Sequence, residues 1–454
     1  IPLYPKLPIL DIEQSWVYIR IEDFLVAMVS LVLCIQFLYR KKLSDSPLTF
    51  PIILYWTVGL VSLINALVFI FPNFGGILFP KVAIFHYIRR IEYLFLFFVG
   101  YEAIKARPTM TARVLWVLGI TVLIVSLYGF GQKFLGFPAF LTMNEEFAKG
   151  TPLRLPPTAR FPSTFGGHYD LAAYLVMTIP IIASMVFGAK KLWVKAASVL
   201  VSVLALIMLL FTASRVSFGV YLIAISAMLW MQKKKLWILP VVVVSIIIMN
   251  FTSGVSERYA KTLRFSDVVV DLSTGKPIGT LDKLEGGQAH LAESENPAKE
   301  TLPTGSEFIG VGANGGKKAG TVTMYSSKNL ATGSGEISTM SGSFLIQKAL
   351  VYDISITTRF QGQWPKAMAA FRRNIMLGSG YSALSVAADG DYHRMLGETG
   401  ILGTIAFLGI FAYAWYLFAT RIHLLTGIER SFTIGVFAGF LGLLVNAVLI
   451  DVFE

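Results

Sequence analysis

Apolar runs of about twenty residues recur from one end of the chain to the other, the length that carries a helix across a bilayer. Their apolar residues are continuous rather than alternating, so the spans are helices and not strands of a barrel. Ten runs are read: 22–39, 51–71, 83–104, 112–131, 170–188, 193–212, 216–231, 236–251, 401–420 and 432–450. The expected fold is an all-α polytopic membrane protein, a multi-span helical bundle. The charged fraction of 15% and mean hydropathy of +0.66 agree with that class.

The basic residues orient the bundle. Arg40, Lys41 and Lys42 follow the first run, and Lys105, Arg107 and Arg113 lie between the third and fourth. Lys190, Lys191 and Lys195, then Lys233, Lys234 and Lys235, then Arg421 and Arg430 continue the alternation. Every second short loop is basic, which predicts that those loops face the cytoplasm and the others face outside. The outer segments are then 132–169, the short turn at Arg215, and the long stretch 252–400. Both ends of the sequence fall outside; one further span at each end, making twelve, would return both to the cytoplasm. The net charge of +12 fits positive-inside loops as well as an anion-binding surface. A single cysteine, Cys34, excludes a disulfide framework and argues against a Cys-based metal site. No signal peptide is visible.

Segment 252–358 differs in composition: Gly, Ser, Thr, Pro and Lys dominate, without a helical apolar period. TVTMYSS, EISTM and GSFLIQKALVYDISITTRF read as short strands separated by turns. The segment is expected to be a large extracytoplasmic insertion, part strand and part disordered. Helix signals return in QWPKAMAAFRR, 363–373, an amphipathic helix on the outer surface. Residues 371–411 then pass through Gly378 and Gly380, present Asp389, Asp391, His393, Arg394 and Glu398, and enter the ninth apolar run after Gly400.

Four groups of charge carry the chemistry. Arg154 and Arg160 sit in an outer loop stiffened by Pro156, Pro157 and Pro162, next to Gly166, Gly167 and a helix start. That arrangement suits a phosphate, while headgroup contact or a carboxylate partner is the plainer reading. Arg215 lies in a turn between two apolar runs and fits an anionic group, with snorkelling to headgroups as the alternative. Arg89, Arg90, Glu92 and His86 lie inside the third run; Arg89 and Glu92 share a face at i, i+3 and can pair structurally, or serve a proton relay. The cluster from Asp389 to Glu398 holds the residue types of a general base, although solvated charge is ordinary in such a loop. The histidines show no metal spacing, and neither a GxxxxGK[ST] nor a GxGxxG motif is present, so the energy source is expected to be an activated substrate and not ATP. No nucleic-acid module is present.

Three blocks in order resemble the O-antigen ligase and polymerase superfamily, bacterial membrane glycosyltransferases that use polyprenyl-diphosphate-linked glycans. RFPSTFGGHYDLAAYLVMTIP, 160–180, is similar to the family's Arg-x-x-Gly-Thr-Phe-x-x-x-x-x-Leu-Ala block, with Ser163 in place of the Gly. LLFTASRVSFGVYL, 209–222, resembles its Ser-Arg turn. RFQGQWPKAMAAFRRNIMLGSGYSALSVAADGDYHRMLGETGILGTIAF, 359–407, looks like the family's Arg…Trp-x-x-Ala…Gly-x-Gly block followed by Tyr-Leu-x-x-Leu-x-Glu-x-Gly-x-x-Gly. The resemblance covers about residues 110–450, and the insertion 265–345 has no counterpart in it. Ligases of the family carry a His near the position that Asp389 occupies when Glu398 and Gly400 are aligned, and His393 stands where the family has Leu. The polymerase branch is therefore the better match.

The resemblance implies a GT-C-like bundle in a bacterial inner membrane with its site facing outward. It implies no metal and no cofactor. Arg215, with Arg154 or Arg160, would stabilise the charge that develops on the departing diphosphate. Asp389, Asp391 or His393 would take the proton of the attacking sugar hydroxyl. Arg359, Arg394, Glu398 and Arg89 would support them. The implied partners are a polyprenyl-diphosphate-linked oligosaccharide, a glycan acceptor, membrane lipid and a chain-length regulator protein, with no nucleic acid. A flippase of lipid-linked sugars is the rival of another class, supported by the intramembrane Arg89, Arg90 and Glu92, but no inverted repeat accompanies them. A structural scaffold would leave the outer arginines without a reason.

Overall fold

The computed structural model describes residues 2–4, 6–10, 18–41, 43–73, 80–107, 109–142, 145–157, 159–251, 363–384 and 390–453, with Arg359 and six strands between 263 and 352. The chain divides into two units, Ile1–Ser256 with Lys366–Glu454, and Glu257–Pro365.

The first unit opens on a short antiparallel pair, β1 (Pro8–Leu10) and β2 (Ile19–Arg20), and is otherwise helical. Its long helices are α1 (Ile21–Arg40), α2 (Thr49–Asn65), α3 (Pro80–Ala106), α4 (Met110–Leu135), α5 (His168–Gly188) and α6 (Leu192–Phe211). They continue as α7 (Arg215–Met231), α8 (Ile238–Phe251), α9 (Trp364–Arg373), α10 (Asp391–Arg421) and α11 (Gly427–Asn446). Helix α2 runs on through a wider π-helical turn, Ala66–Ile70, to Asn73. Each of the ten apolar runs forms a helix. Among the described residues seven are long and apolar enough to cross a membrane. Helix α3 is long but carries Arg89, Arg90, Glu92, Glu102 and Lys105, and α7 and α8 are shorter. The chain is a multi-pass, mainly helical membrane protein; seven is the number of spans that length and composition support, against ten read from the runs.

Helix ends alternate between two levels. At one level Arg40 pairs with Glu102 at 3.3 Å and Lys105 pairs with Asp45, so the loop after α1 meets the end of α3. At the other, the hydroxyl of Ser62 near the end of α2 meets the carbonyl of Glu398, and the amide of Asp391 donates to Ala447 O at 2.9 Å. The loop after α1 and the residues around Glu398 thus lie at opposite ends of α2.

The main core joins α5, α6, α7 and α11 around Leu175, Ile179, Met208, Leu209 and Met228. Helix α11 reaches the backbone of α5 because small residues face it. A Cβ on Gly439 would lie 2.2 Å from Met177 O, and one on Gly435 2.7 Å from Ile181 Cα. In lipid, where apolar burial does not drive helices together, this close approach of backbones supplies the packing. A second cluster joins α1, α2, α3 and α10 through Leu33, Ile52, Tyr55, Phe98 and Phe407.

The second unit contains a six-stranded sheet in the order β3-β4-β5-β7-β8-β6, with β3 also paired to β8. Its strands are β3 (Leu263–Asp271), β4 (Pro277–Lys283), β5 (Ala289–Ala292), β6 (Phe308–Val311), β7 (Lys317–Ser326) and β8 (Glu336–Tyr352). All pairings are antiparallel except β5 with β7. Strands β7 and β8 fall on the sequences read as strands. The other four lie where Gly, Ser and Lys conceal the pattern, and β8 is one strand of 17 residues where several short ones are expected.

Candidate functional site

Segment 374–402 folds back on itself in a way its glycines dictate. Gly400, at φ 66° and ψ −164°, breaks α10 into helix 391–399 and helix 401–421. Such a break frees backbone groups that lipid cannot satisfy. The loop before it supplies their partners. Ser379 N donates to Gly397 O at 2.8 Å and Gly380 N to Glu398 O at 2.9 Å, while Ile401 N donates to Ile375 O at 3.0 Å. The two strands of chain meet at Gly378 and Gly400, and a Cβ on either would strike backbone of the other at 2.5 Å or less.

Helix 391–399 is buried, and its charges face protein rather than solvent. Glu398 is fully buried; its Oε2 lies 3.6 Å from Arg90 Nη2 on α3, and its Oε1 accepts from Ser382 N at 3.2 Å. Arg90 also reaches the hydroxyl of Tyr55 at 3.4 Å and lies 5.4 Å from the centre of the Tyr381 ring. Burial holds the Tyr381 phenol well above its usual range, so it stays neutral. Arg394, 1% exposed, pairs with Asp451 at 3.4 Å. The Asp391 carboxylate accepts backbone N–H groups from Val452 at 2.7 Å and Phe453 at 3.2 Å. Three of the five charges in this cluster therefore anchor the helix. Asp391, with both oxygens engaged by amides, is an anchor for the segment after α11. His393 is half-buried, two residues on from it. Asp389 lies outside the described residues.

The two arginine elements come to the same level. Arg160 is half-buried and its Nη1 lies 2.9 Å from His168 Nε2, at the first residue of α5. A guanidinium only donates, so Nε2 accepts and the imidazole is the neutral Nδ1–H tautomer. Next to it, Phe161 N donates to Phe211 O at the end of α6. Three residues later Ser214 caps α7, accepting from Ser217 N, and Arg215 is the first helical residue. Ser217 Oγ donates to Asn446 Oδ1 at 3.3 Å, and Ala447 is the residue that receives the Asp391 amide. Short links thus join Arg160, Arg215 and the start of helix 391–399.

Three further sequence-derived residues have other surroundings. Arg154 is exposed on the loop that bridges Ala139 to Leu153. Arg89 pairs with Asp23 on α1 at 3.4 Å. Arg359 belongs to the second unit and is buried. Among the described residues no group of three or more His, Cys, Asp or Glu is placed to hold a metal. No family model matches the chain, and neither does a curated protein or a solved structure.

Asn446 and Asp451 were open to detection: each is a polar residue beside an apolar run, where lipid makes an idle polar group expensive. Tyr55, Ser62 and Tyr381 carry no such signal. Their roles arise from partners on other helices or loops, in the case of Ser62 more than three hundred residues away at Leu377 and Glu398.

Proposed function

We propose that the chain is a membrane glycosyltransferase that elongates a glycan carried on a polyprenyl diphosphate, of the O-antigen polymerase type. The observation that carries this reading is the contact of Arg160 with a neutral imidazole at a helix start, linked to the Arg215 turn. Arg90 and Arg394 are paired with carboxylates, those of Glu398 and Asp451. Arg160 is not, so its charge remains available for an anion, beside the N-termini of α5 and α7, whose dipoles favour the same sign.

In this reading the acceptor sugar hydroxyl attacks the anomeric carbon of the donor. The bond between that carbon and the diphosphate oxygen breaks, and the polyprenyl diphosphate leaves with the electron pair. Arg160 and Arg215 stabilise the growing negative charge. The hydroxyl proton passes to Asp389 or His393, since Asp391 is held by two amides. Arg154 meets the diphosphate only if the donor extends over the exposed loop. A ligase that transfers the same glycan to another acceptor shares every one of these steps. Arg89 pairs with Asp23 and Arg90 with Glu398, which supports a structural role for these two arginines over the relay that a flippase would need.

Arg215→Ala is expected to lower glycan transfer by purified protein about 10²–10³-fold, the effect of losing one preorganised charge donor. Elongation at the normal rate would remove the diphosphate role. Asp389→Ala and His393→Ala, compared in the same assay, separate the two bases. Only loss of the true base should flatten the acidic limb of the pH–rate profile, since a base fails when protonated.

A further inference from the structure

A cleft of about 520 Å³ opens between α1, α2 and α3 at the basic-loop end, the end opposite Arg160 and Arg215. Cys34, Phe37 and Leu38 of α1, Ile53 and Trp56 of α2, and Phe95 of α3 line its depth. Its volume is that of a ligand site, about 300–1,000 Å³. From Lys41 down α1 to Cys34 is seven residues, or about 10 Å at the helical rise. That covers about two-thirds of one leaflet's hydrocarbon depth. The walls are almost wholly apolar and the mouth is not.

The mouth carries Lys41, Ser44 and Thr49. Ser44 Oγ is committed to Glu102 at 2.9 Å and Thr49 Oγ1 to Ser44 O at 3.1 Å. The acidic groups nearby are neutralised, Glu102 by Arg40 and Asp45 by Lys105. Lys41 is exposed, in the left-handed cap of α1 at φ 51°, and makes no ion pair among the described residues. One uncompensated cation stands over an apolar slot at the depth of lipid headgroups. That charge pattern is complementary to an anionic lipid and indifferent to a zwitterionic one.

We propose that this cleft binds one acyl chain of an anionic glycerophospholipid, with Lys41 on the headgroup phosphate. The site is independent of the glycan chemistry at the opposite end, so it stands or falls separately from that reading.

Cys34 is the chain's one cysteine and is exposed in the cleft wall, so alkylation by a maleimide reports occupancy. The experiment measures that rate on purified full chain in detergent, titrated with dioctanoyl phosphatidylglycerol or dioctanoyl phosphatidylcholine. Phosphatidylglycerol should protect Cys34 at about fivefold lower concentration, the worth of one basic residue at a lipid surface. Lys41→Gln should equalise the two lipids while leaving the fold intact. Ile53→Trp, which fills the slot, should abolish protection by both. Equal protection of the parent protein by the two lipids would overturn the proposal. So would a preference that survives Lys41→Gln, or protection that survives Ile53→Trp, since protection would then come from the micelle and not the cleft.

Discussion

Replacing Arg90 with Met is expected to destabilise the helical unit by about 3–5 kcal/mol, because it leaves the buried Glu398 carboxylate without its counter-charge. Arg90 is 6% exposed and Glu398 is not exposed at all. Their separation of 3.6 Å is that of an ion pair without a direct hydrogen bond between Nη2 and Oε2. A fully buried carboxylate without a counter-charge must then protonate or draw the helix toward solvent. Glu398→Gln should cost less than the mirror change at Arg90, since its amide oxygen can still accept from Ser382 N. The double variant Arg90→Met/Glu398→Gln should recover most of the loss, as removal of a whole buried pair usually does. The thermal midpoint of the detergent-solubilised protein, read by size exclusion, measures all three. A single-variant loss below about 0.5 kcal/mol, typical of surface sites, would mean that the pair is solvated.

The consequence reaches the candidate site. Arg90 and Tyr55 hold the last turn of helix 391–399, while Asp391 and Arg394 hold its first turns through Val452, Phe453 and Asp451. The helix that presents His393 is clamped at both ends. Reaction geometry depends on positions held within about half an ångström, which a clamp of this kind supplies.

The helices were legible because continuous apolar runs have few competing interpretations, and each of the ten runs forms one. The break at Gly400 was legible in outline, since a glycine before an apolar run marks a change of backbone. The use of the charges was not. Asp391 read as a candidate base on an outer loop, with Arg394 and Glu398 in support, and in the structure all three are buried anchors. Spacing along a helix says which residues share a face, but not which distant segment covers that face. The pairing of Arg89 illustrates this. Glu92 offers the right interval along α3, yet Asp23 on α1 lies closer because the helices pack there. Strands β3 to β6 escaped for a different reason, as β3 and β6 draw their register from β8, β5 draws it from β7, and β4 from β3 and β5, and not from a periodic pattern of their own.

Gly400→Ala should be the most damaging single change outside the ion pair. At φ 66° and ψ −164° the backbone lies where glycine alone is comfortable, at about 1–3 kcal/mol for any other residue. The added methyl would also lie 2.4 Å from Met376 O and 2.6 Å from Gly378 N, both backbone atoms without a rotamer to change. Strain and overlap together point to a loss of about 4 kcal/mol or more, the range reserved for disrupted architecture. Gly409→Ala is the control, in the same helix and with open space around a new Cβ. It should be neutral or stabilising by about 0.4–1 kcal/mol. Folded yield and thermal midpoint distinguish the two. If Gly400→Ala matched Gly409→Ala, α10 would run straight through position 400. Residues 375–380 would then lose the amides and carbonyls they pair with, and Asp391 could not reach the end of α11. The link between the Arg215 turn and helix 391–399 depends on that bend.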